Sequence, residues 1–203
     1  LDVRYPEQRA LFMRLVAKCD VFVENLKSTT LHQMGIFESE LLKANPRMIV
    51  VRLPPAGLSG DWAHYTGFGG QFDGLTSLAA LCGHRGTALM ESPSTQHMDS
   101  VTGPAGGFAL LAALHYRAAT GRGQVIELAQ SENVIGELGD VFVNLQLGVE
   151  PQRLGNRDAR RAPQGVYLCA DGRWIALTVA DDEAWRGLTA VLGRADLAKD
   201  ERL

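Results

Sequence analysis

The feature that most constrains the fold is a short, unbroken apolar run, Met48-Ile49-Val50-Val51, within residues 47–53. Such a run is typical of a strand that is covered on both faces, as strands in parallel sheets are. Residues 20–24, which are rich in β-branched and aromatic side chains, and residues 124–128 predict two more strands. The chain is therefore expected to contain at least one sheet with a buried central strand.

Helical patterns separate these predicted strands. We expect one helix to open at Tyr5-Pro6-Glu7, where proline occupies a first-turn position, and others to cover residues 38–45, 71–81, 102–119 and 130–147. The helix at 102–119 is apolar over most of its circumference, which predicts that it is well buried. Strands that alternate with helices indicate an α/β layer with parallel strands.

The pattern changes after Gly148. A polar stretch over 150–163 precedes two predicted strands that flank Ala170-Asp171-Gly172-Arg173, and Asp-Gly between two strands is typical of a β-hairpin. A helix over 182–192 follows. We interpret this region as a second, smaller α+β unit that begins near Ala162.

Composition narrows the functional classes. The chain carries 20 Lys and Arg residues against 23 Asp and Glu residues, and this net charge of −3 disfavours nucleic acid as a partner. No apolar stretch approaches the roughly 20 residues that span a bilayer, so no membrane partner is expected. The three cysteines lie far apart without metal-ligand spacing, which predicts no metal site and reduced thiols in a cytoplasmic protein.

Asp99 is the leading candidate for chemistry. It lies just before the predicted long helix, on the glycine-rich approach Gly103-Pro104-Ala105-Gly106-Gly107. Asp at this place also suits a simple helix cap, and both interpretations fit the local pattern. His97 lies two residues away and is the one histidine with a candidate neighbour.

The glycine clusters do not form a known phosphate loop. Neither Gly67-Phe68-Gly69-Gly70 nor the cluster that follows Asp99 is a GxGxxG between a strand and a helix, and the Lys-Ser/Thr of a P-loop is absent. The glycines therefore favour turns and close helix packing over a dinucleotide site.

Several short segments carry more information as an ordered set than any one of them does alone. They are Leu1-Asp2-Val3-Arg4 with Pro6-Glu7, Asp20-Val21-Phe22-Val23-Glu24-Asn25-Leu26, Asn45-Pro46-Arg47-Met48-Ile49, Asp99-Ser100-Val101-Thr102-Gly103, Thr120-Gly121-Arg122-Gly123-Gln124, and Ala162-Pro163-Gln164-Gly165-Val166-Tyr167 with Asp171-Gly172 and Trp174. Nearly end to end, the chain resembles the class III CoA-transferases of the CaiB/BaiF type.

The resemblance implies a Rossmann-like large-domain segment with parallel strands over 1–148, a linker over 149–161 and the start of a small α+β domain over 162–203. It also implies transfer of CoA from an acyl-CoA to a small free carboxylic acid, with Asp99 as the nucleophile that forms an aspartyl–acyl anhydride. Coenzyme A then enters as substrate, and no tightly bound cofactor is expected. Subunits of this family interlock, which implies a homodimer.

The same resemblance assigns residues to CoA binding. Those implied beside the nucleotide are Leu1, Asp2, Val3, Arg4, Asn25, Leu26 and Lys27. Gly67 and Phe68 fall in the segment, residues 66–69, that borders the pantetheine and the active site.

Three positions depart from the family pattern. Gln33 stands where a phosphate-binding arginine is frequent, and Gly69 replaces the acid that usually follows position 68. Phe68 stands where many transferases have tyrosine and the related α-methylacyl-CoA racemases have a histidine base. A racemase-like isomerase is therefore the alternative enzyme.

Two further alternatives are a non-catalytic fragment that binds CoA and a generic nucleotide-binding α/β domain. Family members are about twice as long as this chain, so the resemblance implies a fragment or a truncated gene product.

Overall fold

The computed structural model describes residues 1–88 and 97–200. The chain divides into two units, Leu1–Ala80 with Pro93–Pro151, and Leu81–Ser92 with Gln152–Leu203. The domain boundaries implied at 149–161 stay a prediction.

The first unit alternates strands and helices, as the sequence predicts. In chain order its elements are α1 (Pro6–Val16), β1 (Val21–Glu24), α2 (Thr30–Gln33), α3 (Glu38–Ala44), β2 (Ile49–Arg52), α4 (Gly70–Leu75), α5 (Leu78–Leu81), α6 (His97–Thr120), β3 (Gln124–Glu127), α7 (Gln130–Glu137) and α8 (Gly139–Gln146). Leu81, the last residue of α5, belongs to the second unit.

The three strands form one parallel sheet in the order β1-β2-β3. Val21 pairs with Ile49, and Ile49 pairs with Gln124 on its other side. All four residues of β2 are buried. The prediction of a parallel α/β layer with a buried central strand is confirmed.

Apolar clusters cover both faces of this sheet. On one face Val50 of β2 joins a cluster that Val16 of α1 and Leu41 of α3 also enter. On the other face Ile49 and Val51 pack with Ala113 of α6. Successive residues of a strand point to opposite faces, so an unbroken apolar run is what two covered faces require.

Helix α6 differs from its prediction in two ways. It begins at His97 rather than at residue 102, because Met98 and Thr102 are buried and packing holds the additional turn. Pro104 lies inside the helix without ending it. Asp99, expected just before the helix, is therefore part of its first turn.

The expectation that this helix is well buried is wrong for this chain. One side of α6 faces the sheet: Ala113 is buried there, and Leu110 and Leu114 are partly buried against Ile49 and Val51. Other large side chains of α6 face away from the sheet, with Phe108 76% and Leu111 67% exposed. The apolar circumference predicted burial all round, but the sheet covers one face.

Two predicted helices are each broken in the middle. The pattern over 71–81 divides into α4 and α5 at Ser77, whose φ of 65° lies in the left-handed region that interrupts a helix. The pattern over 130–147 divides into α7 and α8 at Leu138. Apolar periodicity continues across both breaks, so the sequence shows no boundary there.

The second unit contains the predicted hairpin. Strands β4 (Gln164–Leu168) and β5 (Trp174–Thr178) pair antiparallel, with Leu168 opposite Trp174. Helix α9 (Asp182–Val191) follows, and the Asp181 carboxylate accepts the Ala184 N–H at 2.8 Å as its cap. The expected small antiparallel sheet is confirmed.

Within residues 1–88 and 97–200, no helix combines the length and the apolar character that crossing a lipid bilayer requires.

Candidate functional site

Asp99 lies at the surface in the first turn of α6, and the residue before it is packed in the core. Its neighbour Met98 is buried and packs with Phe72 of α4 and Val134 of α7. Asp99 is exposed, and its carboxylate makes no hydrogen bond or ion pair with any described residue. Packing of Met98 thus fixes the first turn of the helix, while the Asp99 carboxylate has no described hydrogen-bond or ion-pair partner.

Asp99 lines a cavity of about 440 Å³, here called the Asp99 cavity. Its lining residues are Asn25, Leu26, Lys27, Pro55, Tyr65, Thr66, Gly67, Phe68, Gly69, Phe72, Met98, Asp99 and Gln130. The structure therefore brings together six of the residues that the sequence singled out, namely Asn25, Leu26, Lys27, Gly67, Phe68 and Asp99.

The cavity lies at the carboxyl end of the parallel sheet. Asn25 follows β1, Pro55 comes shortly after β2, and Gln130 lies just beyond β3. Open α/β sheets bind ligands at this edge, because the loops that leave the strands are free to surround a ligand there.

The other predicted CoA-binding residues line a second cavity. This N-terminal cavity of about 450 Å³ is formed by Leu1, Asp2, Val3, Arg4, Phe12, Phe22, Leu26, Leu31, Met34 and Ile36. Leu26 lines both cavities, so one residue of the loop after β1 separates them. Gln33 lines neither cavity.

Arg4 and Asp2 form an exposed ion pair at the N-terminal cavity. Arg4 Nε and Nη2 donate to the two carboxylate oxygens of Asp2 at 2.9 and 2.6 Å. These side-chain hydrogen bonds lower the pKa of Asp2 from 3.8 to about 2. Asp2 therefore stays ionised well below neutral pH, and an anionic ligand has to compete with it for Arg4.

Lys27 is differently placed. It is half-buried in the wall of the Asp99 cavity and makes no ion pair within the described part of the chain. Its ammonium group is the one lysine or arginine charge among the described lining residues of that cavity.

Sequence reasoning missed Gln130, the first residue of α7. It is 5% exposed, its Nε2 donates to the Leu53 carbonyl at 2.9 Å, and its backbone N–H donates to Pro54 at 3.0 Å. These bonds tie α7 to the end of β2 and hold a polar side chain in the cavity wall. Its place at the start of a predicted helix, two residues after a predicted strand, was the available signal.

His97 does not line the Asp99 cavity. Its Nε2 lies 3.0 Å from Glu137 Oε2, so the imidazole pairs with the end of α7. The described residues that line the Asp99 cavity include no histidine.

A larger cavity, of about 980 Å³, lies in the second unit. Its wall carries Arg160, Arg161 and Arg186 together with Asp158, Asp181, Asp182 and Asp200. These charges of both signs select no ligand class, and none of the sequence-predicted site residues is among its described walls. The described residues also contain no group of three His, Cys, Asp or Glu side chains able to hold a metal ion.

Comparison with known proteins decides the family. The model of CoA-transferase family III matches residues 1–203. The chain belongs to this family.

The chain is similar in sequence to named CoA-transferases of family III. The chain is 30% identical to the succinyl-CoA–D-citramalate CoA-transferase of Chloroflexus aurantiacus, over 100% of this chain and 50% of that protein. It is 31% identical to the succinate–glutarate CoA-transferase of Agrobacterium fabrum, over 99% of this chain and 50% of that protein. The chain thus spans about half the length of the curated relatives it matches.

A solved structure of the family agrees with the fold. The crystal structure of a CaiB/BaiF family protein from Brucella suis matches with a TM-score of 0.83 and 31% identity, over 99% of this chain and 53% of that one. The fold of this chain is therefore that of about half of the Brucella suis protein.

Proposed function

We propose that this chain supplies the nucleophile and the CoA-binding surface of a transferase that moves CoA from an acyl-CoA to a free carboxylic acid. The observation that carries the proposal is the Asp99 carboxylate, which is exposed, free of described partners and placed in the wall of a cavity at the carboxyl end of the sheet. Its family relatives are named for CoA transfer to citramalate and glutarate.

The chemistry uses one carboxylate as a covalent catalyst. A carboxylate oxygen of Asp99 attacks the thioester carbonyl, the C–S bond breaks, and CoA leaves as thiolate with an aspartyl–acyl anhydride left behind. The thiolate then attacks the aspartyl carbonyl, which releases the first acid and forms an aspartyl–CoA thioester. A carboxylate oxygen of the incoming acid attacks the aspartyl–CoA thioester, which releases CoA thiolate and forms a new aspartyl–acyl anhydride. The thiolate then attacks the acyl carbonyl of this anhydride, so the new acyl-CoA departs and the Asp99 carboxylate is restored.

The two cavities suit the two ends of coenzyme A. Asp99, Gly67 and Phe68 lie at one cavity, where the thioester would react. Leu1 and Arg4 lie at the other, where the nucleotide would bind. Because Leu26 lines both, the connecting pantetheine would pass this residue. Lys27 follows Leu26 in the chain and has no described ion-pair partner, so it is available to the pyrophosphate that joins the pantetheine to the nucleotide.

The racemase-like alternative gains no support from the cavity. Proton exchange at the α-carbon by two bases needs a second base opposite Asp99, and Phe68 stands at the position where the racemases have histidine. Homodimerisation, a cytoplasmic location and the lack of nucleic-acid and membrane partners stay predictions.

The test is to trap the activated carboxyl group. The chain is incubated with succinyl-CoA and with acetyl-CoA in the presence of hydroxylamine, and the modified peptide is identified by mass spectrometry. We expect a hydroxamate at Asp99, and a fall in labelling of about 10³-fold or more in Asp99→Asn, which removes the nucleophile.

Asp140→Asn is the matched control. Asp140 is also an exposed aspartate in the first turn of a helix, α8, but it lines neither cavity. Both variants should unfold within about 0.5 kcal/mol of wild type, because each changes an exposed side chain. Labelling that persists in Asp99→Asn, or no label at Asp99 with either acyl-CoA, would overturn the proposal.

A further inference from the structure

One buried arginine holds the loop that follows β1. Arg52, the last residue of β2, is 0% exposed. Its Nε donates to Glu24 Oε1 at 2.5 Å, its Nη2 donates to the Ser28 carbonyl at 3.0 Å, and its Nη1 donates to Glu38 Oε1. The guanidinium therefore bonds the residues on both sides of the loop 25–27 and also α3.

The loop is tied to this arginine at further points. The second carboxylate oxygen of Glu24 accepts the Leu26 N–H at 2.7 Å. The Ser28 hydroxyl donates to the Ala63 carbonyl at 2.5 Å, which joins the loop to the segment before the Asp99 cavity. Glu24 is thus occupied on one oxygen by Arg52 and on the other by the backbone of the residue that lines both cavities.

The charged forms of Arg52 and Glu38 are favoured within this network. Burial alone would lower the pKa of Arg52, but hydrogen bonds from its guanidinium to Glu24 and Glu38 outweigh burial and raise it. Burial likewise would raise the pKa of Glu38, and hydrogen bonds from His32 and Arg52 reverse that effect. A planar fork with fixed donor directions holds several acceptors in one geometry, which a flexible ammonium group does not.

A buried ion network is a poor source of net stability compared with apolar side chains, so its presence at the end of an apolar strand favours a geometric role. We propose that Arg52 is a positioning residue: it holds Asn25, Leu26 and Lys27 in the cavity walls before a ligand arrives. The inference rests on the proposed function only in naming coenzyme A as that ligand.

Arg117, in the last turn of α6, provides a comparison at the opposite end of the same sheet. It bonds the Asp20 carboxylate at 3.0 Å and the carbonyls of Asp20 and Arg47 at 3.2 Å each. Asp20 and Arg47 precede β1 and β2, so Arg117 crosses the amino ends of the strands whose carboxyl ends Arg52 crosses. Neither cavity includes any of these three residues among its described walls.

The experiment compares Arg52→Lys with Arg117→Lys in the 203-residue chain. Both substitutions keep the charge and remove the fork. For Arg52→Lys we expect exchange of the Leu26 amide to become about tenfold faster and the Kd for coenzyme A, measured by calorimetry, to rise about tenfold. Exchange at Val50, in the centre of β2, reports general loss of stability and should change less. Arg117→Lys should alter neither Leu26 exchange nor the Kd.

Glu24→Gln keeps the inference testable if Arg52→Lys does not fold. In wild type Arg52 and the Leu26 N–H bond different oxygens of Glu24, and glutamine replaces one of these oxygens by an NH2 group that cannot accept. Faster exchange at Leu26 relative to Val50 is expected again.

The outcomes separate the two proposals. Unchanged Leu26 exchange in a folded variant, or equal effects of the two arginine variants, overturns the positioning role. A wild-type chain that binds no coenzyme A counts against the proposed function, whereas the exchange of the Leu26 amide still decides the role of Arg52.

Discussion

The two ends of the parallel sheet are each crossed by an arginine, but they are closed in different ways. At the carboxyl end Arg52 is fully buried among carboxylates, and the loops that leave the strands open into the Asp99 cavity. At the amino end Arg117 reaches a largely exposed Asp20, and Gly123 brings the backbone before β3 against the Met48 carbonyl.

The difference shows where the fold uses charge and where it uses backbone fit. The loop after β1 borders a cavity, and hydrogen bonds from the buried Arg52 guanidinium hold the two ends of that loop at Glu24 and Ser28. At the amino end the described residues border neither the Asp99 cavity nor the N-terminal cavity, and the backbone at Gly123 packs directly against the Met48 carbonyl.

The largest expected effect separates the two arginines. Arg52→Met leaves Glu24 buried without its charged partner, and should lower the free energy of unfolding by about 3–5 kcal/mol. Arg117→Met should lower it by about 1 kcal/mol, because Asp20 stays in water. Urea denaturation monitored by circular dichroism measures both, and equal losses would contradict the contrast.

A glycine at the amino end should give the next effect. A Cβ at Gly123 would overlap the Met48 carbonyl, so the backbone has to shift. Gly123→Ala should cost about 1–3 kcal/mol, as overpacking does. In Gly107→Ala, inside α6, the Cβ meets nothing within 4 Å, and a stabilisation of up to about 1 kcal/mol is expected in thermal or urea unfolding. A Gly123→Ala chain as stable as wild type would show that the close approach is not needed.

The smallest expected effect is on the free energy of unfolding at acidic pH. The pKa of Glu38 is lowered from 4.5, since hydrogen bonds from His32 and Arg52 outweigh the effect of burial. A lowered folded-state pKa gives stability that is present above the unfolded value and is lost as pH falls through the folded value. Below pH 4.5, wild type should therefore lose stability more steeply than Glu38→Gln in urea titrations at successive pH values. If the free energy of unfolding falls equally with pH in the two chains, protonation of Glu38 does not contribute to the loss of stability.

Much of the fold could be predicted because it depends on local patterns. The apolar run of β2 and the alternation of strands and helices indicated a parallel sheet, and Asp171-Gly172 indicated the hairpin. The breaks at Ser77 and Leu138 could not be predicted, since apolar periodicity continues through both. The exposure of Phe108 also could not be predicted, because a helix does not specify which of its faces meets a sheet.

The candidate site was accessible from sequence only in part. The resemblance singled out Asp99 and the residues after β1, and the structure places them in one cavity wall. Gln130 was missed, as was Arg52, which lies 28 residues from Glu24 and 14 from Glu38. No local pattern pairs residues so far apart.

The sequence by itself determined the order and type of the main elements, the family resemblance and the candidate nucleophile, because these depend on residue types at fixed positions along the chain. Tertiary structure alone decided that Asp99 has no described partner, that Leu26 lies between two cavities and that Arg52 holds the loop between them. Burial and hydrogen bonding are properties of segments that meet only after the sheet has formed, and a linear pattern does not contain that meeting.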